Sequence, residues 1–181
     1  RNIFREYQGQ PTSIDLVIGE DGKTPNIFIE SKFVEKEFGG CSLFENGDCD
    51  GRNPAHNLND CFLHHIGRQY WVLMEKHGLL EETLAEMPIC VMACYYQFFR
   101  ELLMALEFEG KFVLVCDSRS PTFAYKNRKS DRGLLPFMLS LIPEHLHSKI
   151  RVLYIQEIVE AIKDTGQHEW IVKFEEKYGL N

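Results

Sequence analysis

The sequence of 181 residues contains no run of about 18 apolar residues, which excludes a membrane-spanning helix. Its opening stretch, RNIFREYQGQPT, lacks the continuous apolar core of a signal peptide. That stretch does not begin with Met, so further residues are expected upstream. Internal repeats and low-complexity tracts are missing, which excludes solenoids and arrays. Positive charge is in short supply: the formal net charge is -7, which argues against a general coat for polyanions. It leaves room for a local basic groove. Six cysteines are present without any sign of secretion, so a disulfide scaffold is not expected and a cytoplasmic setting is. With 44% hydrophobic and 26% charged residues, the composition is that of one globular domain over 1–181 with a core of its own.

Ser13 to Glu20, SIDLVIGE, is β-branched and bounded by Pro11 and Asp21-Gly22, which predicts a strand. Glu20 to Lys23 forms the turn, and Asn26 to Val34 the second strand of a hairpin. Gly39 to Asp60 is rich in Gly, Asn and Asp and reads as one long irregular loop. Loops of that length in small domains are commonly held by something. Helices are expected over 61–76, 90–107, 133–141, 155–163 and 168–178, with strands over 111–116 and 150–154. Strands interleaved with helices give an α/β class with a mixed central sheet flanked by helices.

The best apolar run, Ile27-Phe28-Ile29, is followed at once by Glu30 and Lys32. Residues two apart in a strand share a face, so Glu30 and Lys32 point the same way. In the hairpin Asp15 lies at the same end of the sheet. Two carboxylates in a small volume are costly unless something neutralises them. A hard divalent cation does so, and a lysine beside it can position water or steady charge on a phosphate. A weak ion pair at an exposed strand end is the plainer reading of Glu30 and Lys32.

SIDLV followed by FIESKF resembles the PD-(D/E)XK nuclease superfamily. FGGC after that strand, YYQ in the long helix and the terminal EEKYG resemble a bacterial branch of restriction-endonuclease type. The resemblance implies a restriction-endonuclease-like core and a Mg2+-dependent DNA endonuclease, with Mn2+ as a substitute. Asp15 takes the metal-aspartate position, Glu30 the second carboxylate and Lys32 the lysine. The family often adds a glutamate on a preceding helix, where Glu6 is the local candidate metal ligand. Ile14 stands where the family commonly has proline. Some branches carry a glutamine on the crossover helix, and Gln97 in YYQFFRELL occupies that place as a catalytic candidate. The tyrosine several branches add four residues later is replaced by Glu101. Arg100 is then a candidate phosphate contact, against the plainer reading of a polar stripe on an amphipathic helix. Two rivals remain: a repair nuclease acting on single-stranded or branched DNA, and a non-catalytic nucleic-acid or protein-binding module on a degenerate nuclease fold. Cutting two strands needs two sites or two events, which fits a homodimer.

Cys41, Cys49, His56 and Cys61 fall within 21 residues and could close a structural Zn2+ site, although C-x7-C-x6-H-x4-C matches no compact zinc motif. Cys90 and Cys94, one helical turn apart, could join them. Cys94 and Cys116 also read as small core hydrophobes. Arg119, Lys126, Arg128, Lys129 and Arg132 face a single acidic residue, Asp131, in a stretch with aromatic Phe123 and Tyr125. This is the expected DNA-binding face, contacting phosphates in a salt-dependent way.

Overall fold

The computed structural model of the chain describes residues 2–7, 11–20, 22, 24–123, 133–166 and 169–180. Four strands, β1 (Leu16–Ile18), β2 (Ile27–Lys32), β3 (Lys111–Cys116) and β4 (Ile150–Tyr154), form one mixed sheet in the order β1-β2-β3-β4. The hairpin expected from SIDLVIGE and its partner is present: β1 and β2 are antiparallel, with Leu16 opposite Ile29. β3 runs parallel to β2 and β4 parallel to β3. β1 is shorter than the 13–20 expected, and all three of its residues are exposed. It is an edge strand, with one neighbour and both faces exposed, so little tertiary packing extends it.

The helices are α1 (Ser42–Glu45), α2 (Phe62–His65), α3 (Tyr70–Lys76), α4 (Glu82–Ala85), α5 (Val91–Glu107), α6 (Leu134–Ser140), α7 (Ile155–Asp164) and α8 (Glu169–Tyr178). The helix expected over 61–76 is two pieces, α2 and α3, broken at Gly67, whose φ is +89°. That left-handed conformation suits glycine and ends a helix. α4 was not expected. The family resemblance also implies a helix before the hairpin, and among the described residues none precedes β1.

The connection from β2 to the parallel β3 must cross the sheet, and α5 supplies the crossover. Its apolar face carries Phe98, Phe99, Leu102, Leu103 and Leu106, all buried. Phe98 meets Phe112 of β3 edge-on, and Phe28 of β2 meets Phe108 at the helix end. Aromatic pairs of this geometry add about 0.5–1.5 kcal/mol each beyond burial. Phe38 and Phe123 extend the cluster, with Phe38 against both Phe98 and Phe123. Phe123 thus anchors its segment in the core. Gly110 lets the chain turn tightly into β3: a Cβ there would sit 2.6 Å from the Asn26 carbonyl oxygen.

α5 is kinked at Tyr95, whose φ and ψ are -131° and 35°. Beyond the kink the Gln97 N–H donates to the Phe38 carbonyl at 3.1 Å, outside the helix. An inserted backbone carbonyl is a recognised cause of a kink. Next to it the Cys41 N–H donates to the Ala93 carbonyl at 3.2 Å. The stretch Phe38–Cys41 therefore threads along the start of α5. A Cβ on Gly40 would meet the Ala93 carbonyl oxygen at 2.5 Å and Glu45 Oε1 at 2.7 Å. Gly40→Ala is expected to destabilise the protein by about 1–3 kcal/mol, as overpacking does. Urea unfolding midpoints check this, with Gly47→Ala as a control for a glycine whose added Cβ has open space and only positive φ against it.

Candidate active site

Burial along β2 alternates, and Phe28, Glu30 and Lys32 form its buried face. Glu30 and Lys32 are 3% and 5% exposed, so the reading of a weak ion pair at an exposed strand end fails on burial. Lys32 Nζ lies 2.8 Å from Glu30 Oε1. The same oxygen accepts from Gln97 Nε2 at 2.6 Å. Strand alternation sets the first pair; the α5 kink and the Phe38 contact set the glutamine. Asp15 stands just before β1, across from the end of β2, and its Oδ2 accepts the Ser31 N–H at 2.9 Å. Asp15, Glu30, Lys32 and Gln97 therefore meet at one end of the sheet.

Glu101 is the residue that sequence reasoning passed over. It lies one helical turn beyond Gln97, on the same face of α5. It is 1% exposed, and its Oε2 has no hydrogen-bond partner. Burial, and then the charge of Glu30, push its carboxyl up to about 9, against the pull of Gln97, Lys32 and Arg100. Its proton is therefore held more tightly than on an ordinary carboxyl. The signal in the sequence was the Gln-x-x-x-Glu spacing itself, on the face turned to the strand pair.

Glu6 and Arg100 belong to a different assembly. Residues 2–7 are not helical. Glu6 accepts the Thr12 N–H and hydroxyl, each at 2.7 Å, and the Tyr70 hydroxyl at 2.6 Å. Arg100 Nη2 is 3.0 Å from Glu6 Oε1, and Arg100 Nε donates to Thr12 Oγ1 at 2.8 Å. The guanidinium also lies 4.6 Å from the centre of the Tyr96 ring. Burial pushes the Glu6 carboxyl up, but the Tyr70, Thr12 and Arg100 contacts outweigh it and hold it below the usual carboxylate value. Glu6 thus has its oxygens engaged, and Arg100 is turned inward. Arg100 borders a cleft of about 290 Å³ that Thr12, Gly39, Tyr96, Gln97 and Glu101 also help to line. This cleft opens beside the strand-end cluster through Gln97 and Glu101.

The other expected residues lie elsewhere. Arg119 is bound to Asp117, with Nη2 2.6 Å from Oδ2, and reaches the Tyr178 carbonyl. Lys126, Arg128, Lys129 and Arg132 lie outside the described residues. His56 is exposed and faces Glu86 at 3.5 Å. Among the described residues no three His, Cys, Asp or Glu side chains are gathered to hold a metal ion as they stand, and none of the six thiols is in a disulfide. No described helix is long and apolar enough to cross a membrane.

No curated protein and no solved structure matches the chain. A family model does, over residues 1–179, and its description is Restriction Endonuclease associating with ARP. Nearly the whole sequence falls within that match, strand-end cluster and cysteine segment included, so the chain belongs to this restriction-endonuclease-related family.

Proposed function

We propose that this protein is a Mg2+-dependent DNA endonuclease of restriction type, of the PD-(D/E)XK kind, with Mn2+ able to substitute. One observation carries the reading: an acid and a lysine, Glu30 and Lys32, are buried side by side at a strand end, with Asp15, Gln97 and Glu101 around them. Burying such a pair is hard to justify as a device for stability, because desolvation offsets much of its attraction.

The donor set suits a hard divalent cation. Asp15 and Glu30 offer carboxylate oxygens, and both hydrogen bonds to Glu30 fall on Oε1. Glu101 adds a buried oxygen without a partner. Asp15 and Glu30 would hold the ion, with the Ser31 main chain close by. When bound, Mg2+ supplies a Lewis acid for the phosphate and lowers the pKa of water. Lys32 brings a positive charge to the phosphate oxygens as negative charge develops there. Gln97 keeps Glu30 in one orientation. The chain's homodimer and its DNA-binding surface belong to this same reading.

The test is cleavage of plasmid and linear duplex, and of single-stranded and branched DNA, with Mg2+, Mn2+ or chelator. Metal-dependent duplex cutting is the expected result. Preference for single-stranded or branched substrates would favour a repair nuclease. No cutting of any substrate, with retained DNA binding at low salt, would favour a binding module instead.

A further inference from the structure

β1 leaves one side of the sheet open. No described strand lies beyond it, and Leu16, Val17 and Ile18 are 53%, 43% and 44% exposed. Natural sheets ordinarily guard such an edge with a charge, a proline or a bulge. The opposite edge follows that rule, since β4 carries Arg151, exposed, within it. β1 carries only aliphatic side chains, and it exposes both faces. An uncharged aliphatic edge is a template for another strand.

The backbone decides which groups are on offer. The Asn26 N–H donates to the Ile18 carbonyl at 3.0 Å, so the polar backbone groups of Ile18 point towards β2. Adjacent residues of a strand direct theirs to opposite sides. The N–H and C=O of Val17 therefore face away from β2, where no described strand takes them. Val17 is also the middle residue of the three. A second copy running antiparallel, with Val17 opposite its own counterpart, satisfies both groups at once, because such a pair exchanges two hydrogen bonds. That register is isologous, as a two-fold axis requires. It sets Leu16 against Ile18 of the second copy, and Ile18 against Leu16. No like charges meet, since Asp15 falls opposite Gly19 and Glu20 opposite Ile14. Any other in-phase register pairs fewer of the three strand residues.

We propose that the homodimer forms by antiparallel pairing of β1 with β1 of a second copy, which joins the two sheets into one. This deepens the homodimer of the proposed function and rests on that reading for its purpose. Asp15 lies two residues from the axis. Its counterpart then lies four residues further along, about 14 Å at the rise of a strand. The major groove between the two strands of a duplex is about 12 Å wide. The pairing therefore offers one strand-end cluster to each DNA strand. A three-residue strand is a small interface, so the association is of the weak, concentration-dependent kind.

Sedimentation of the full chain over a concentration series, with and without duplex DNA, is expected to show a monomer–dimer equilibrium. Val17→Lys puts two ammonium groups at the axis and is expected to hold the protein monomeric with an unchanged circular dichroism spectrum. Cys94 is exposed, so crosslinking is done in a Cys94→Ser background. There Val17→Cys places two thiols on a pair with Cα atoms about 5.5 Å apart, within disulfide reach. Mild oxidant should give a covalent dimer, while Leu16→Cys, whose counterpart lies too far across the axis, should give none. A monomer at every concentration would overturn the assignment and leave the edge to a strand of another protein. A dimer that Val17→Lys leaves intact would overturn it too, as would Val17→Cys crosslinking no better than Leu16→Cys. Self-association is read without cleavage: a protein that cuts DNA as a monomer keeps the nuclease reading and loses this interface.

Discussion

Glu30→Gln is expected to lower metal-dependent DNA cleavage by about 10³-fold, with little change in DNA binding. Glutamine matches the shape of glutamate and keeps an oxygen for Lys32 and Gln97, so the packing beneath α5 survives. What disappears is the charge that would hold the cation. Lys32→Met keeps the length of the side chain and removes the ammonium. Its effect should be of similar size, since a single group aimed at developing charge is worth about 10²–10³ in rate. The two variants differ in their remaining charge. Glu30→Gln leaves Lys32 buried without its counter-charge; Lys32→Met leaves Glu30 beside Glu101 with its own counter-charge gone. Single-turnover cleavage rates at saturating enzyme, with binding measured separately in Ca2+, separate catalysis from affinity. Wild-type rates in either variant would remove that residue from the site.

The second large effect is on stability, at Glu6. Four contacts converge on its carboxylate, from Thr12, Tyr70 and Arg100. They tie the N-terminal segment to α3 and α5. Glu6→Gln leaves the Arg100 guanidinium, 15% exposed, without its partner. Breaking a largely buried pair from one side costs about 3–5 kcal/mol. For a chain of this size that lowers the Tm by about 6–20 °C. The pH dependence carries a sign. The folded pKa of Glu6 lies below the ordinary value for a glutamate. Its contribution is therefore present above the unfolded value and is lost as pH falls through the folded one. Wild-type Tm should fall across that acid window more steeply than the Tm of Glu6→Gln. Parallel Tm–pH curves would show that Glu6 contributes no such linkage.

Asp15, Glu30 and Lys32 could be read from the sequence because strand geometry is local. A two-residue period puts Glu30 and Lys32 on one face, and a hairpin places Asp15 opposite. Gln97 came through family resemblance, and its contact with Glu30 depends on a kink that no local pattern in YYQFFRELL announces. Glu101 was harder still. A glutamate between Arg100 and Leu102 on an amphipathic helix has the look of a solvated residue, and only the packing of α5 across β2 buries it. Arg100 and Glu6 show the same limit from the other side: each is charged, and each is used up by the other. Among the cysteines, nearness in sequence pointed to His56, which instead stands exposed and faces Glu86. The α/β class and the strand positions needed none of this, being set by short apolar runs and their punctuation.

The parallel pairing of β2 with β3 joins Ile27 to Lys111, far along the chain. Closing a loop of that length costs about 4 kcal/mol of chain entropy. The contact between Cys41 and Ala93 sits inside that loop and, once made, shortens what remains to be closed. Folding can then proceed by nested closures: the hairpin and α5 form locally, the Phe38–Cys41 stretch docks on the helix, and β3 zips last. On that route Glu30 and Gln97 become neighbours before the sheet is complete.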